Sequence, residues 1–359
     1  MTEIRSLEPR DLPRVAALYA EFVGWDPALD GPRLERFFER LMFDDPFLDP
    51  EVPALAFEDP EDGVVGFRAV HPRRFTYGDR TIRVASAGTM VVDSRHRRRG
   101  IARKLVERYF DGPQEMAASD RSGDVVHGVW EGLGTALYTG GSIGWARVVS
   151  PAGKLARSLT RRLSDRDVPP AAALLARLDA PATRRREPEP DSGSVEPLAN
   201  AALIELLPTL ARDFSLRPAY TEEYLAWLFS TMELANVGEQ LVRALVRADD
   251  GRPLGAYVMY LTPGATANVV QIAAARDDMG AVLDHLLHDA AKRGAVEVEG
   301  RLEPYLIAHL RSRAARIEWV ERANVHSQDA ALVNTVLAGR ALLTRLDGEY
   351  WMRPCRPVS

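Results

Sequence analysis

The strongest constraint on how this chain folds is the passage Val91-Val92-Asp93-Ser94-Arg95-His96-Arg97-Arg98-Arg99-Gly100-Ile101-Ala102. An extended run, Arg80 to Asp93, ends there, and Ile101, Leu105, Val106 and Phe110 then recur at helical spacing. A strand therefore becomes a helix within a few residues, and the amides of the helix's first turn converge on one small space. Such a terminus offers unpaired N–H donors and a partial positive charge, which suits a pyrophosphate. Gly100 lets a ligand approach the backbone closely, Ala102 keeps the first turn uncrowded, and arginines add charge-assisted bonds to phosphate. A solvated turn or a nucleic-acid patch could carry the same arginines. The formal net charge of −5 speaks against a general nucleic-acid binder.

The elements around this turn follow a definite order. Ile4 to Leu7 reads as a strand, then a helix carries Val15, Leu18, Tyr19 and Phe22 at helical spacing, and a second helix covers Pro32 to Met42. Three strands follow at Pro53 to Glu58, Gly63 to Pro72 and Arg80 to Asp93, separated by the turn signals Asp59-Pro60-Glu61-Asp62-Gly63 and Tyr77-Gly78-Asp79. After the arginine turn come the helix Ile101 to Phe110, a strand at Glu115 to Ser119, a helix at Asp124 to Leu133 and a final strand at Ser142 to Val149.

Ala171 to Leu178 is a candidate helix, and Pro181 to Pro197 is charged, Pro-rich and nearly free of apolar residues, which is linker composition. The expected organisation is a domain over residues 1–150, a helix and linker over 151–197, and a second domain over 198–359. The C-terminal part repeats the theme. A helix at Tyr220 to Met232 precedes strands at Leu241 to Ala248, Gly255 to Leu261 and Asn268 to Ala274. A helix at Met279 to Arg293, a strand at Ala295 to Arg301 and a helix near Pro304 to Arg313 complete it. The shared element order implies a duplicated fold, although the two halves are not obviously alike in sequence.

With these residues and their order in place, the chain resembles the GNAT superfamily of N-acetyltransferases over about residues 1–150. The acyl-CoA loop of that family has the form Arg/Gln-x-x-Gly-x-Gly/Ala, and Arg97, Gly100 and Ala102 satisfy it. The resemblance implies an α/β (α+β) acyl-CoA N-acyltransferase fold, a mixed and mostly antiparallel sheet flanked by helices, here duplicated. It implies acetyl-CoA or another short acyl-CoA as donor, with Arg97, Arg98, Arg99, Gly100, Ile101 and Ala102 around the pyrophosphate. It also implies that backbone amides near Met90, Val91 and Val92 bond the acyl carbonyl as an oxyanion site. The equivalent turn of the second half, Ala275-Arg276-Asp277-Asp278-Met279-Gly280, lacks the pattern, and its two aspartates would repel phosphate. The second half therefore reads as a degenerate copy.

Acyl transfer to a primary amine needs a group to take the amine's proton, because such amines have a pKa near about 10. The resemblance implies direct attack without an acyl-enzyme, and Cys355, the sole cysteine, lies at the far C-terminus. Two positions depart from the family. Ala85 to Val91 carries no glutamate, and Val129-Trp130-Glu131-Gly132-Leu133-Gly134 has Trp130 where many relatives have a tyrosine. Tyr138 is the substitute acid. The candidate bases are Asp120, His127, Glu131, Glu21 and His71, with Asp120 first because it follows the strand beside which the sheet is expected to open. A helix N-cap is the competing reading of Asp120, and a packed or solvated side chain that of His127. These departures leave a non-catalytic acyl-CoA-binding sensor or complex subunit as the alternative.

The remaining expectations are exclusions. Seven histidines without HxxxH or HExxH spacing and a single cysteine offer no metal site and no disulfide framework within the chain. No run has the length of a signal peptide or a membrane span, so a cytoplasmic protein without a membrane partner is expected. The expected partner is a small-molecule amine, not nucleic acid, and a homodimer is open. Trp130 and Trp145 read as core, as does the aromatic helix face of Tyr220, Tyr224, Trp227 and Phe229, with the second half positioned to close the acceptor cleft.

Overall fold

Alternating apolar residues in the N-terminal half build a sheet whose two faces are each covered by a helix pair. The computed structural model describes residues 3–163, 190–236 and 238–354. Its first part contains β1 (Glu3–Ser6), α1 (Leu12–Val23), α2 (Pro27–Met42), β2 (Leu55–Asp59), β3 (Gly63–Tyr77) and β4 (Arg80–Val92). Then follow α3 (Ile101–Phe110), β5 (Met116–Ser122), α4 (Asp124–Glu131), β6 (Ala136–Leu137), the one-turn α5 (Thr139–Ser142), β7 (Ile143–Val148) and α6 (Pro151–Leu163). The second part contains β8 (Ser194–Pro197), α7 (Asn200–Leu210), β9 (Leu216–Pro218), α8 (Glu222–Ala235), β10 (Gln240–Arg247), β11 (Pro253–Leu261) and β12 (Thr266–Ala274). It ends with α9 (Met279–Lys292), β13 (Glu297–Arg301), α10 (Leu306–Ser312), β14 (Arg316–Trp319), β15 (Arg322–His326) and α11 (Ala330–Leu337).

The sheets run β1-β2-β3-β4-β5-β15-β6, with β9 also on β3, and β14-β7-β13-β12-β11-β10-β8. Neighbours are antiparallel except β4 with β5 and β12 with β13. Apart from β9, the two sheets match strand for strand, and both carry a one-residue bulge on the fourth strand, between Ala87 and Met90 in β4 and at Val270 in β12. The fold is thus a mixed, mostly antiparallel α/β architecture present twice.

The sixth strand of each sheet comes from the other half of the chain. The strand expected at Ser142 to Val149 forms as β7, but it pairs with β13 and β14 in the second sheet. β15 takes the corresponding place beside β5 in the first. Local pattern specifies a strand but not its partner. β7 is fixed by contacts far along the chain, including the Trp145 indole donating to the Arg301 carbonyl at 3.0 Å.

Val15, Leu18 and Tyr19 of α1 and Leu34, Phe38 and Leu41 of α2 pack on Phe67, Ala69 and Val91. Each fully buried side chain of this size contributes about 1.5–3 kcal/mol. The same core continues through α7 and α8 to Leu245 and Val258, so these four helices lie between the two sheets. Phe22, expected on the buried stripe, is 57% exposed. On the other face of the first sheet, α3 and α4 cover Val65, Val70, Ala85 and Ala87, with Trp130 fully buried. Trp145 and the aromatic face of α8 are core as expected: Tyr224 stacks on Phe47 at 4.3 Å, and the Trp227 indole donates to the Arg40 carbonyl.

Three expected boundaries move. β3 continues beyond Pro72 to Tyr77, which a proline allows because β2 stops pairing with β3 at Arg68. α2 begins at Pro27, with the Asp26 side chain capping the Ala28 amide. The end of the expected linker is a strand, β8, whose Val195 and Glu196 pair with Val246 and Leu245. The candidate helix Ala171 to Leu178, the linker residues 181–189 and Cys355 lie outside the described residues.

Candidate active site

The first sheet opens where β4 and β5 part. Their parallel pairing covers Val84 to Ser86 against Met116 to Ala118 and then stops. Beyond Ser86 that edge of β4 has no strand partner, which leaves amides available to a ligand. The bulge needs glycine: a Cβ at Gly88 would fall 2.5 Å from the His71 Nε2 behind it. Between the separated strands lies a cleft of about 660 Å³, lined by Gly88, Thr89 and Met90 on one side and by Ser119 and Ser122 on the other. Tyr19, Phe22 and Val23 of α1 and Trp319 and Val320 of the second half form its mouth. Met90 faces this cleft, while Val91 is buried in the inter-sheet core and Val92 packs toward α3.

The arginine turn lies at the end of the same strand. Arg98 (φ 64°) and Gly100 (φ 77°) are both left-handed, which turns the chain sharply into α3. Space beside Gly100 is open. Among the described residues, nothing accepts a hydrogen bond from the amides of Gly100, Ile101 or Ala102. Arg97, Arg98 and Arg99 are exposed, Ile101 is buried under the helix, and Ala102 is half-buried. Asp93 fixes the turn from below, accepting from the Arg95 amide at 2.9 Å and from Arg14 of α1 at 2.7 Å. These bonds, chiefly the one from the Arg95 side chain, hold the Asp93 carboxyl well below the usual carboxylate range. Arg99 donates to His96 Nδ1 at 3.2 Å, so the proton of His96 sits on Nε2 and is given to Asp62 at 2.9 Å. The residues present therefore fit a pyrophosphate: free amides, open space and three unpaired or lightly held guanidiniums.

The expected catalytic residues are not brought together. Asp120 sits in β5 at the opening, yet its Oδ1 accepts the Glu349 amide at 2.8 Å, and Gly123, not Asp120, caps α4. Tyr138 is buried in the core with Phe75 and Ile82 and does not line the cleft, and burial pushes its hydroxyl up to about 12. His127 ties α4 to β15 through Asn324 at 2.8 Å. Glu131 and Glu21 are exposed, and neither lines the cleft. His71 is buried behind the bulge, where burial holds it well below the ordinary histidine value and therefore neutral. Among the described residues, no cluster of three or more metal-ligating side chains exists, and no helix is long and apolar enough to cross a membrane.

The cleft instead contains a carboxylate that the sequence did not point to. The segment after α11 runs back between the sheets and delivers Glu349, which is 7% exposed, to the opening. Ser119 Oγ donates to its Oε1 at 2.5 Å. Burial, with the neighbouring Asp120 carboxylate, raises the Glu349 carboxyl well above the ordinary range. Gly348 makes this approach possible, since a Cβ there would fall 2.2 Å from Asp120 Oδ2. Asp347-Gly348 is a readable turn signal, but nothing local says that it crosses to β5, 230 residues away in sequence.

The matching opening in the second sheet is filled. The Leu346 amide bonds the Val270 carbonyl at 3.0 Å, and Gln271 bonds Thr344, so the same C-terminal segment occupies that split. At the head of α9 the Arg276 amide is already taken by the Asp213 carboxylate at 2.8 Å, and Asp278 is paired with Arg252.

Residues 15–118 match the profile of the acetyltransferase (GNAT) family. Among curated proteins no relative matches. Of solved structures, a GCN5-related N-acetyltransferase from Anabaena variabilis aligns at TM-score 0.61 and 11% identity, over 95% of this chain and 75% of that one. A conserved protein of unknown function from Enterococcus faecalis V583, described as a probable N-acyltransferase, aligns at TM-score 0.58 and 8% identity, over 91% and 73%. A GCN5-related N-acetyltransferase from Kribbella flavida gives TM-score 0.54 and 16% identity, over 92% and 72%. At these identities the likeness is one of fold, and it extends over both halves of the chain.

Proposed function

We propose that this chain, whose residues 15–118 form an acetyltransferase (GNAT) family domain, transfers an acetyl or other short acyl group from coenzyme A to the primary amine of a small molecule. Acyl transfer from coenzyme A is the general activity of that family; the donor length and the acceptor are our reading. The observation that carries it is the buried carboxylate of Glu349, which the C-terminal segment brings into the split between β5 and β4, the strand that leads into the arginine turn.

The amides of Gly100 to Ala102 and the side chains of Arg97 to Arg99 hold the donor's pyrophosphate. Free amides of β4 around Met90 bond the thioester carbonyl and stabilise the oxyanion that forms on attack. The acceptor enters past Phe22 and Trp319 as the neutral amine, and Glu349 takes the proton that its nitrogen releases on attack. A raised carboxyl pKa suits that role, because it brings the base nearer to the amine's own value. The nitrogen lone pair bonds the acyl carbon, its proton passes to Glu349, and the electron pair of the carbon–sulfur bond leaves on sulfur. Asp120 positions Glu349 through its main chain, and the second half contributes Glu349 and part of the cleft wall.

The test is thiol release from acetyl-CoA in the presence of a panel of primary amines: amino sugars, amino acids and simple alkylamines. Amine-dependent release is expected, lowered by about 10²–10⁴-fold in Glu349→Gln. A protein that binds acetyl-CoA yet releases no thiol with any of these amines would be a binding module instead.

A further inference from the structure

Arg68 projects from β3 into the cleft and is 1% exposed. Its guanidinium lies 4.4 Å from the centre of the Tyr109 ring and 5.7 Å from that of Trp130. Nη1 reaches the Met90 sulfur at 3.5 Å. Among the described residues no carboxylate forms an ion pair with it, and Nε and Nη2 have no hydrogen-bond acceptor. Burying a guanidinium with no contact ion pair and with Nε and Nη2 unbonded is expensive, and in a folded protein such donors call for a ligand. Two of its donors are available at the floor of a cleft whose strand edge also has unpaired amides.

The side of the sheet decides which ligand atom meets these donors. Arg68 lies on the face of β3 and β4 that α3 and α4 cover, alongside Ala87 and Met90. The arginine turn opens α3 on that same face. A donor anchored at the turn therefore reaches the split from the Arg68 side. The place that many family members give to a tyrosine hydroxyl is taken here by Trp130, which has no acidic proton, and Arg68 lies against its ring.

Resting on the function proposed above, we propose that Arg68 is a further catalytic residue, the cation that receives the negative charge left on the donor sulfur when the carbon–sulfur bond breaks. The amine nitrogen bonds the acyl carbon, and the electron pair of the carbon–sulfur bond passes to sulfur. The amine's proton goes to Glu349, and the thiolate rests against Arg68 until it takes up a proton and leaves as the thiol. Charge balance favours this sequence. Glu349 and Arg68 attract one another across the cleft before reaction. Once Glu349 is protonated it no longer offsets the guanidinium, which is then left with the sulfur as its counter-ion.

The test is calorimetric binding of coenzyme A and of its S-methyl analogue to wild type, Arg68→Lys and Arg68→Met, from pH ~6.5 to ~9, a range that brackets an ordinary thiol pKa of about 8.5. A cation at the sulfur lowers the thiol pKa on binding. Wild type is therefore expected to favour coenzyme A over the analogue increasingly as pH rises, by about tenfold across the range. Arg68→Lys keeps part of that slope, and Arg68→Met loses it while still binding the analogue. A flat ratio in wild type, or an unchanged slope in Arg68→Met, overturns the assignment. So does an effect of Arg68→Met confined to the KM of amines that carry a carboxylate, which would make Arg68 an acceptor-binding group. Should Arg68→Met fail to fold, the slope in Arg68→Lys against wild type decides. Wild type that binds neither ligand would instead remove the acyl-CoA reading itself.

Discussion

Replacing Gly348 by alanine puts a methyl group where Asp120 already stands. The added carbon would lie 2.2 Å from Asp120 Oδ2, 2.3 Å from Cγ and 2.7 Å from Oδ1, against an ordinary contact of 3.4–4 Å. Gly348 is not in the left-handed region, so alanine carries no backbone penalty there. The cost is steric alone. To make room, either Asp120 turns away and gives up the Glu349 amide at 2.8 Å, or the tail shifts and withdraws Glu349 from Ser119. Loss of a hydrogen bond to a charged group costs about 1.5–3 kcal/mol, and overpacking costs about 1–3 kcal/mol. Each relieves the other in part, so a net loss of about 2–3 kcal/mol is expected. Thermal unfolding should fall by roughly 3–4 °C, since an unfolding entropy of about 2.1 cal/mol/K per residue over 359 residues gives about 1.3 °C per kcal/mol. A double-mutant cycle with Asp120→Ala isolates the cause, because removing the carboxylate removes the clash. In that background Gly348→Ala should cost less than about 0.5 kcal/mol. An equal cost in both backgrounds, or no cost in either, would refute the reasoning.

Three further outcomes are expected. If Glu349 is the base, kcat/KM rises with pH up to its elevated pKa and then levels; Glu349→Gln removes that rising limb, and a limb that persists in the variant contradicts the role. Arg73 Nη1 and Asp45 form an ion pair at 2.7 Å with both side chains 2% exposed, so Asp45→Asn should destabilise by about 3–5 kcal/mol in denaturant unfolding, and a loss under ~1 kcal/mol would argue against it. Asp93 has a depressed carboxyl pKa, so its contribution is present above the ordinary value of about 3.9 and is lost as pH falls toward its folded value. The stability gap between wild type and Asp93→Asn should therefore be level near neutrality and narrow in acid; a gap that stays constant would contradict that linkage.

The parts of the fold that were legible in the sequence are those whose determinants are consecutive. The end of β4, the arginine turn and the start of α3 form one stretch, so the strand, the left-handed glycine and the helix could be read together. The duplicated order was legible for the same reason, since each half repeats local patterns. What escaped was pairing at long range. Nothing in Ile143 to Val148 states that this strand belongs beside β13 and not beside β5, because period-two alternation is satisfied equally in either sheet. Glu349 escaped in the same way. Asp120 was placed at the opening of the sheet on good grounds, but its free lone pairs could not be judged without the tail that uses them. Tyr138, the expected acid, does not reach the cleft. The chain after it forms β7 in the other sheet, and the ring is enclosed against Gly141 and Ala323.

The most direct measurement is calorimetric titration of the purified chain with acetyl-CoA and with free coenzyme A, repeated on Arg97→Ala combined with Gly100→Asp. Aspartate tolerates the left-handed backbone at position 100, and the space beside it is open, so the fold should persist while a negative charge enters the phosphate site. Binding by wild type that the double variant weakens by about a hundredfold or more is the expected result, corresponding to roughly 2.7 kcal/mol. Equal binding by both proteins, or no binding of either ligand by wild type, would contradict a donor site at Arg97 to Ala102.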